Sequence, residues 1–113
     1  MSVEPWYAAK CIFRHAGLQS AAKGYVYEER VLLIRAADFD DAQRKAEAEA
    51  KRYAKGGVEY LGFMDVYHLS SEVVGDSTEV YSLMRSSQLK PGDYLNQFHD
   101  TGAEHSKKES GAT

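Results

Sequence analysis

The stretch DFDDAQRKAEAEAKRYAK, residues 38–55, decides the fold class. Phe39, Ala42, Ala46, Ala50 and Tyr53 recur at spacings of three and four, which places one apolar stripe along an α-helix. Asp38 can cap the unpaired amides at its start, and Asp40 and Asp41 put negative charge in the first turn, where the helix dipole favours it. Asp40 with Arg44, Asp41 with Lys45 and Glu47 with Lys51 are i,i+4 pairs in the favourable order, and Gly56-Gly57 ends the helix. A stripe of alanines between two aromatic ends lets the helix axis approach a sheet closely, with Phe39 and Tyr53 as anchors.

On either side of this helix the pattern changes from a period near four to a period of two. Before it, WYAAKCIFRH (residues 6–15) alternates as a strand with apolar groups on both faces: Tyr7, Ala9, Cys11 and Phe13 on one, Trp6, Ala8 and Ile12 on the other. Residues 17–24, small and polar with a glycine at each end, form a connection to a second β-rich run at residues 25–35. That run holds Val31, Leu32, Leu33 and Ile34 in succession, which predicts an inner strand, since a strand tolerates such a run where both of its faces are covered. After the helix, residues 58–69 (VEYLGFMDVYHL) read as a third strand with a bulge at Gly62, and residues 78–85 (TEVYSLMR), following the turn Gly75-Asp76-Ser77, as a fourth. The expected architecture is α+β: a four-stranded, mostly antiparallel sheet in ββαββ order, one main helix packed on one face, and a short C-terminal helix over residues 93–99, where Tyr94, Leu95 and Phe98 cover part of the sheet. Residues 1–100 form a single domain in this reading, and residues 101–113, which lack large apolar groups, a mobile tail.

The chain has 113 residues, room for one ordinary domain and not two. Fourteen Lys and Arg against seventeen Asp and Glu give a net charge of −3, so no overall positive field draws the protein to nucleic acid. A hydrophobic share of 43 % is that of a folding chain. The single Cys11 forms no internal disulfide, and no secretory leader or membrane span is read, so the expected compartment is the reducing cytoplasm.

The candidate chemical motifs are weak. Ser20-Ala21-Ala22-Lys23 has the S-x-x-K spacing of penicillin-recognising enzymes, but it falls in a loop and lacks the partner motifs. Asp65 and His68, three apart on a strand, point to opposite faces, and His99, Asp100, Glu104 and His105 sit where the chain leaves the fold, so no metal site or other cofactor is expected. Cys11 reads as a small core residue. Glu28 and Glu29 face opposite ways and would not share a substrate. No catalytic residue is assigned, and the chain is not expected to be an enzyme.

The aromatic residues are more informative. Trp6, Tyr25, Tyr27, Tyr60, Tyr67 and Tyr81 all fall on strands, more than one helix can cover, and Trp, Tyr and Arg are the types enriched where proteins bind proteins. Glu79, Tyr81 and Arg85 share one face of the fourth strand and have the character of a polar, aromatic contact surface. The segments WYAAKCIFRH, YEERVLLIRAADFDDAQRKAEAEA, YLGFMDVYHL and STEVYSLMR together resemble a family of small, mostly bacterial proteins known only as a domain of unknown function, the DUF4288 type, over residues 6 to about 85. The resemblance implies a stand-alone domain without an established activity and supplies no catalytic residues.

The reading is therefore a non-enzymatic protein-binding module, of immunity type or homo-oligomeric, most simply a homodimer. It engages another protein or a second copy through an aromatic sheet face or a strand edge, with Trp6, Tyr27, Glu79, Tyr81 and Arg85 as binding residues. The alternative is a small-molecule site or small enzyme between helix and sheet or at a dimer seam, using His68, Asp65 or Glu29 in a closed pocket of a few hundred Å³. A third is purely homo-oligomeric, with sheets joined edge to edge across a two-fold axis.

Overall fold

The computed structural model describes residues 3–16 and 24–104. The S-x-x-K tetrapeptide, most of the connection before the second strand, and His105 lie outside the described residues. The chain divides into two compact units, Met1–Ser82 and Leu83–Thr113.

The first unit is built on a three-stranded antiparallel sheet, β1 (Trp6–His15), β2 (Val26–Arg35) and β3 (Val58–His68), in the order β2-β1-β3, with α1 (Phe39–Tyr53) between β2 and β3 in sequence. Helix α1 forms as its sequence dictates. Asp38 lies in extended conformation and its carboxylate accepts the Asp41 amide at 2.8 Å. Asp41 then holds Lys45 at 3.6 Å and, one residue off the expected pairing with Asp40, Arg44 at 2.7 Å. Ala42, Ala46 and Ala50 are buried against the sheet. Tyr53 packs edge-on to Phe13 at 4.9 Å, whereas Phe39 meets Tyr7 edge-on at 5.6 Å and stays about half exposed, so the anchoring is stronger at the C-terminal end. Gly56 and Gly57 take positive φ angles and turn the chain into β3.

Strand β1, apolar on both faces, is the central strand. Tyr7, Ala9, Cys11 and Phe13 are buried on the side of α1, and Ala8 is buried on the opposite side. Its pairing with β2 is regular from Trp6↔Arg35 to His15↔Val26. Its pairing with β3 shifts between Cys11 and Phe13: Cys11 faces Met64 and Phe13 faces Tyr60, so two extra β3 residues are accommodated around Gly62, whose φ is +84°. The bulge expected at Gly62 is present there.

Two expectations are corrected. The sheet has three strands, not four. Residues 78–85 have no strand structure, because their attachment is through side chains: the Tyr81 hydroxyl donates to Asp65, and Glu79 accepts from the Tyr67 hydroxyl at 2.9 Å. Val80, Leu83 and Met84 are exposed, so the alternation that suggested a strand buries no apolar face. Second, β2 is an outer strand, not an inner one. Leu32 and Ile34 are half-buried on the α1 side, while Val31 and Leu33 remain 42 % and 41 % exposed on the other.

In the second unit, α2 (Pro91–Phe98) starts with proline in its first turn. Arg85 lies over the Phe98 ring at 4.4 Å and donates to the Tyr94 hydroxyl at 2.8 Å, and Tyr94 packs against Phe98 at 4.8 Å. None of the α2 residues is buried.

Candidate protein-binding surface

The strand register sorts the polar side chains onto two faces. On the α1 face, Glu28 of β2 is 2.7 Å from His15 Nε2 and accepts from the Tyr53 hydroxyl at 2.9 Å. Arg30 lies 3.7 Å from the centre of the Tyr53 ring and 3.5 Å from Glu49. These contacts tie β2, β1 and α1 together at the end of the sheet near the hairpin, a structural use for Glu28 that its position beside Glu29 did not reveal. Cys11 and Tyr60 are in contact beneath α1, and burial pushes both the thiol and the phenol pKa up. A thiol held protonated in a packed interior is a core group.

The opposite face carries Trp6, Ala8, Lys10, Ile12 and Arg14 of β1, Tyr27, Glu29, Val31, Leu33 and Arg35 of β2, and Asp65 and Tyr67 of β3. Near the β3 side, residues 78–82 cross it. Tyr81 reaches Asp65 and its ring lies 5.5 Å from the Lys10 ammonium, while Lys10 pairs with Glu29 at 3.4 Å. The hydrogen bond to Glu79, then burial, raises the Tyr67 phenol pKa. Near the hairpin, Arg14 bridges Glu59 at 2.7 Å and stacks on Tyr25 at 5.0 Å. At the far end Arg35 stacks on Trp6 at 4.7 Å.

Of the five residues singled out as binding groups, the four in the first unit lie at separate places on the open face. Trp6 is half-buried beneath Arg35, and Tyr27 is exposed beside Tyr25, ring centres 6.3 Å apart. Glu79 and Tyr81 are engaged with Tyr67 and Asp65, and Arg85 belongs to the second unit. The residues passed over are Val31 and Leu33, which with Tyr27, Glu29 and Arg35 form a continuous exposed row on β2. The signal for them was in the sequence, in the run Val31-Leu32-Leu33-Ile34.

For the small-molecule alternative, Asp65 and Glu29 do share the open face around Lys10, but His68 stacks with Tyr7 at 5.0 Å on the α1 side. The space between α1 and the sheet, lined by Cys11, Phe13, Arg30, Leu32, Ala46 and Ala50, is too narrow to hold a water molecule, and none of His68, Asp65 and Glu29 borders it. Among the described residues no three His, Cys, Asp or Glu side chains converge as metal ligands, and no helix is long and apolar enough to cross a membrane.

These features define a small α+β domain, one helix on a three-stranded sheet with a regular outer strand. The chain belongs to the family described as Domain of unknown function (DUF4288), whose model matches residues 6–82 and so ends with the first structural unit. No curated protein and no solved structure matches it.

Proposed function

We propose that the chain is a non-catalytic protein-binding module of the reducing cytoplasm that receives an extended polypeptide along the outer edge of β2. The observation that carries this reading is β2 itself: a ten-residue edge strand, paired without a bulge, lacking proline and glycine, with an apolar centre that includes the exposed Val31 and Leu33. Soluble proteins blunt such edges with short strands, prolines, bulges or covering segments, because an open row of N–H and C=O groups invites another strand. The other outer strand is interrupted in that way, by the bulge at Gly62. Strand addition gains affinity from main-chain hydrogen bonds and selectivity from alternate side chains, here Tyr27, Glu29, Val31, Leu33 and Arg35.

A photo-crosslinking residue in place of Tyr27, compared with one in place of Ala48 on the exposed side of α1, tests the proposal in cells. A polypeptide adduct formed from position 27, absent from position 48 and abolished by Val31→Pro, is the expected result. No adduct from position 27, or equal adducts from both positions, would overturn it.

A further inference from the structure

This inference rests on the strand-addition reading and names the partner. We infer that the polypeptide received by β2 is β2 of a second copy of this chain, paired antiparallel across a two-fold axis that passes through Leu32.

The backbone geometry limits the possible registers. The Ala36 amide donates to the Pro5 carbonyl at 3.2 Å, and these residues stand opposite one another in the continuation of the β1–β2 register. Hydrogen-bonded and non-hydrogen-bonded pairs alternate along an antiparallel ladder. The β2 residues whose main-chain groups turn inward to β1 are therefore Val26, Glu28, Arg30, Leu32 and Ile34. Those of Tyr27, Glu29, Val31, Leu33 and Arg35 turn outward, and among the described residues no strand pairs with them. A second β2 strand added about a two-fold normal to the sheet must pair residues of equal parity, since opposed side chains share a face.

The side chains then select among these registers. An axis at Glu29 or Arg30 sets like charges against each other. An axis at Val31 opposes Glu29 to Leu33 and Tyr27 to Arg35, and one at Leu33 leaves Arg35 against Val31. An axis at Leu32 sets Val31 against Leu33 and Glu29 against Arg35, each twice by symmetry, with Leu32 meeting its own copy on the α1 face and Arg30, which keeps its contacts with Tyr53 and Glu49, beside Ile34; of the registers that oppose no like charges, it is the one that pairs opposite charges. The same register pairs the outward N–H and C=O groups of residues 29, 31, 33 and 35 in about eight main-chain hydrogen bonds. The Glu29 side chain, although 3.4 Å from Lys10, is 68 % exposed and can accept a second partner. The arrangement is isologous and consumes the one regular edge of each copy, so it closes at two chains and gives a six-stranded sheet. It also accounts for the apolar run of β2, which has the sequence of an inner strand and becomes one in the pair.

Sedimentation equilibrium of the full chain, from about 1 µM to about 500 µM, tests this, with circular dichroism verifying that each variant is folded. The wild type is expected to reach twice the 12.6 kDa chain mass. Val31→Pro removes only an outward N–H and should give a folded monomer. Glu29→Arg should weaken the dimer about tenfold or more by opposing two arginine pairs, and Glu29→Arg/Arg35→Glu should restore it, which only a register that brings these residues together allows. A dimer indifferent to Val31→Pro, or a charge swap that fails to rescue, overturns the inference. A wild-type monomer overturns it as well. If that monomer still gives the position-27 adduct with another protein, strand addition stands, and if it gives none, both readings fall.

Discussion

Phe13 is the side chain on which the first unit depends most, and Phe13→Ala is the sharpest test of its packing. The residue lies in the central strand toward its hairpin end, is 1 % exposed, and packs against Tyr53 of α1 at 4.9 Å and Tyr60 of β3 at 5.6 Å between ring centres. Truncation of a fully buried Phe removes its transfer free energy and leaves a cavity, together about 3–5 kcal/mol. Its neighbours cannot close that cavity by sliding inward, because α1 already approaches the sheet through alanines and Tyr53 is held by Glu28. A domain of this size has about 5–10 kcal/mol of stability, so the variant should lose about half of it and melt at least about 12 °C lower. Urea unfolding followed by circular dichroism measures this, with Phe13→Leu, which keeps most of the volume, expected to cost under about 1.5 kcal/mol. A Phe13→Ala loss below about 1 kcal/mol would refute the claim that helix and sheet share one core around this ring.

Four further outcomes follow from the same structure. Ala46→Leu should destabilise by about 1–3 kcal/mol in the same urea experiment, since Ala46 is buried between helix and sheet with no room for a larger group. Asp38→Ala should cost about 1 kcal/mol through loss of the cap on the Asp41 amide. Cys11 should react with iodoacetamide far more slowly than a free thiol at pH 8 and at the free-thiol rate in urea, because burial raises its pKa in the folded chain. The Ala37 amide, and then Lys45 and Arg44, hold the Asp41 carboxyl below its ordinary 3.8. Its stabilising contribution is thus complete above that value and lost as pH falls through the lower folded-state value. An NMR titration of Asp41 should show the lowered midpoint, and Asp41→Asn should flatten this part of the acid limb of stability.

The elements governed by local patterns were legible in the sequence. The cap at Asp38, the alanine stripe and the terminal glycines specify α1 within a few residues, the two-sided apolar character of residues 6–15 marks the central strand, and Gly62 marks the bulge. What was not legible depends on partners distant in the chain. The segment TEVYSLMR alternates like a strand, yet whether it pairs depends on the neighbouring edge. Its Tyr81 and Glu79 reach Asp65 and Tyr67 through side chains, which periodicity does not encode. The surroundings of the residues singled out for binding were hidden for a related reason. Aromatic content drew attention to Trp6, Tyr81 and Arg85, whose rings and charges are occupied by contacts with nearby residues. The apolar run in β2 was read as evidence of an inner strand and is instead the exposed edge of a single copy.

The most direct test of that account is residue-resolved amide hydrogen exchange along β2 as protein concentration is raised. In the isolated copy the amides of Leu32 and Ile34 are bonded to β1 and protected, whereas those of Val31 and Leu33 point outward. Self-pairing predicts that protection of the Val31 and Leu33 amides rises with concentration toward that of Leu32 and Ile34, and that Val31→Pro removes the rise at Leu33. Val31 and Leu33 amides that exchange at the unprotected rate at every concentration would contradict it.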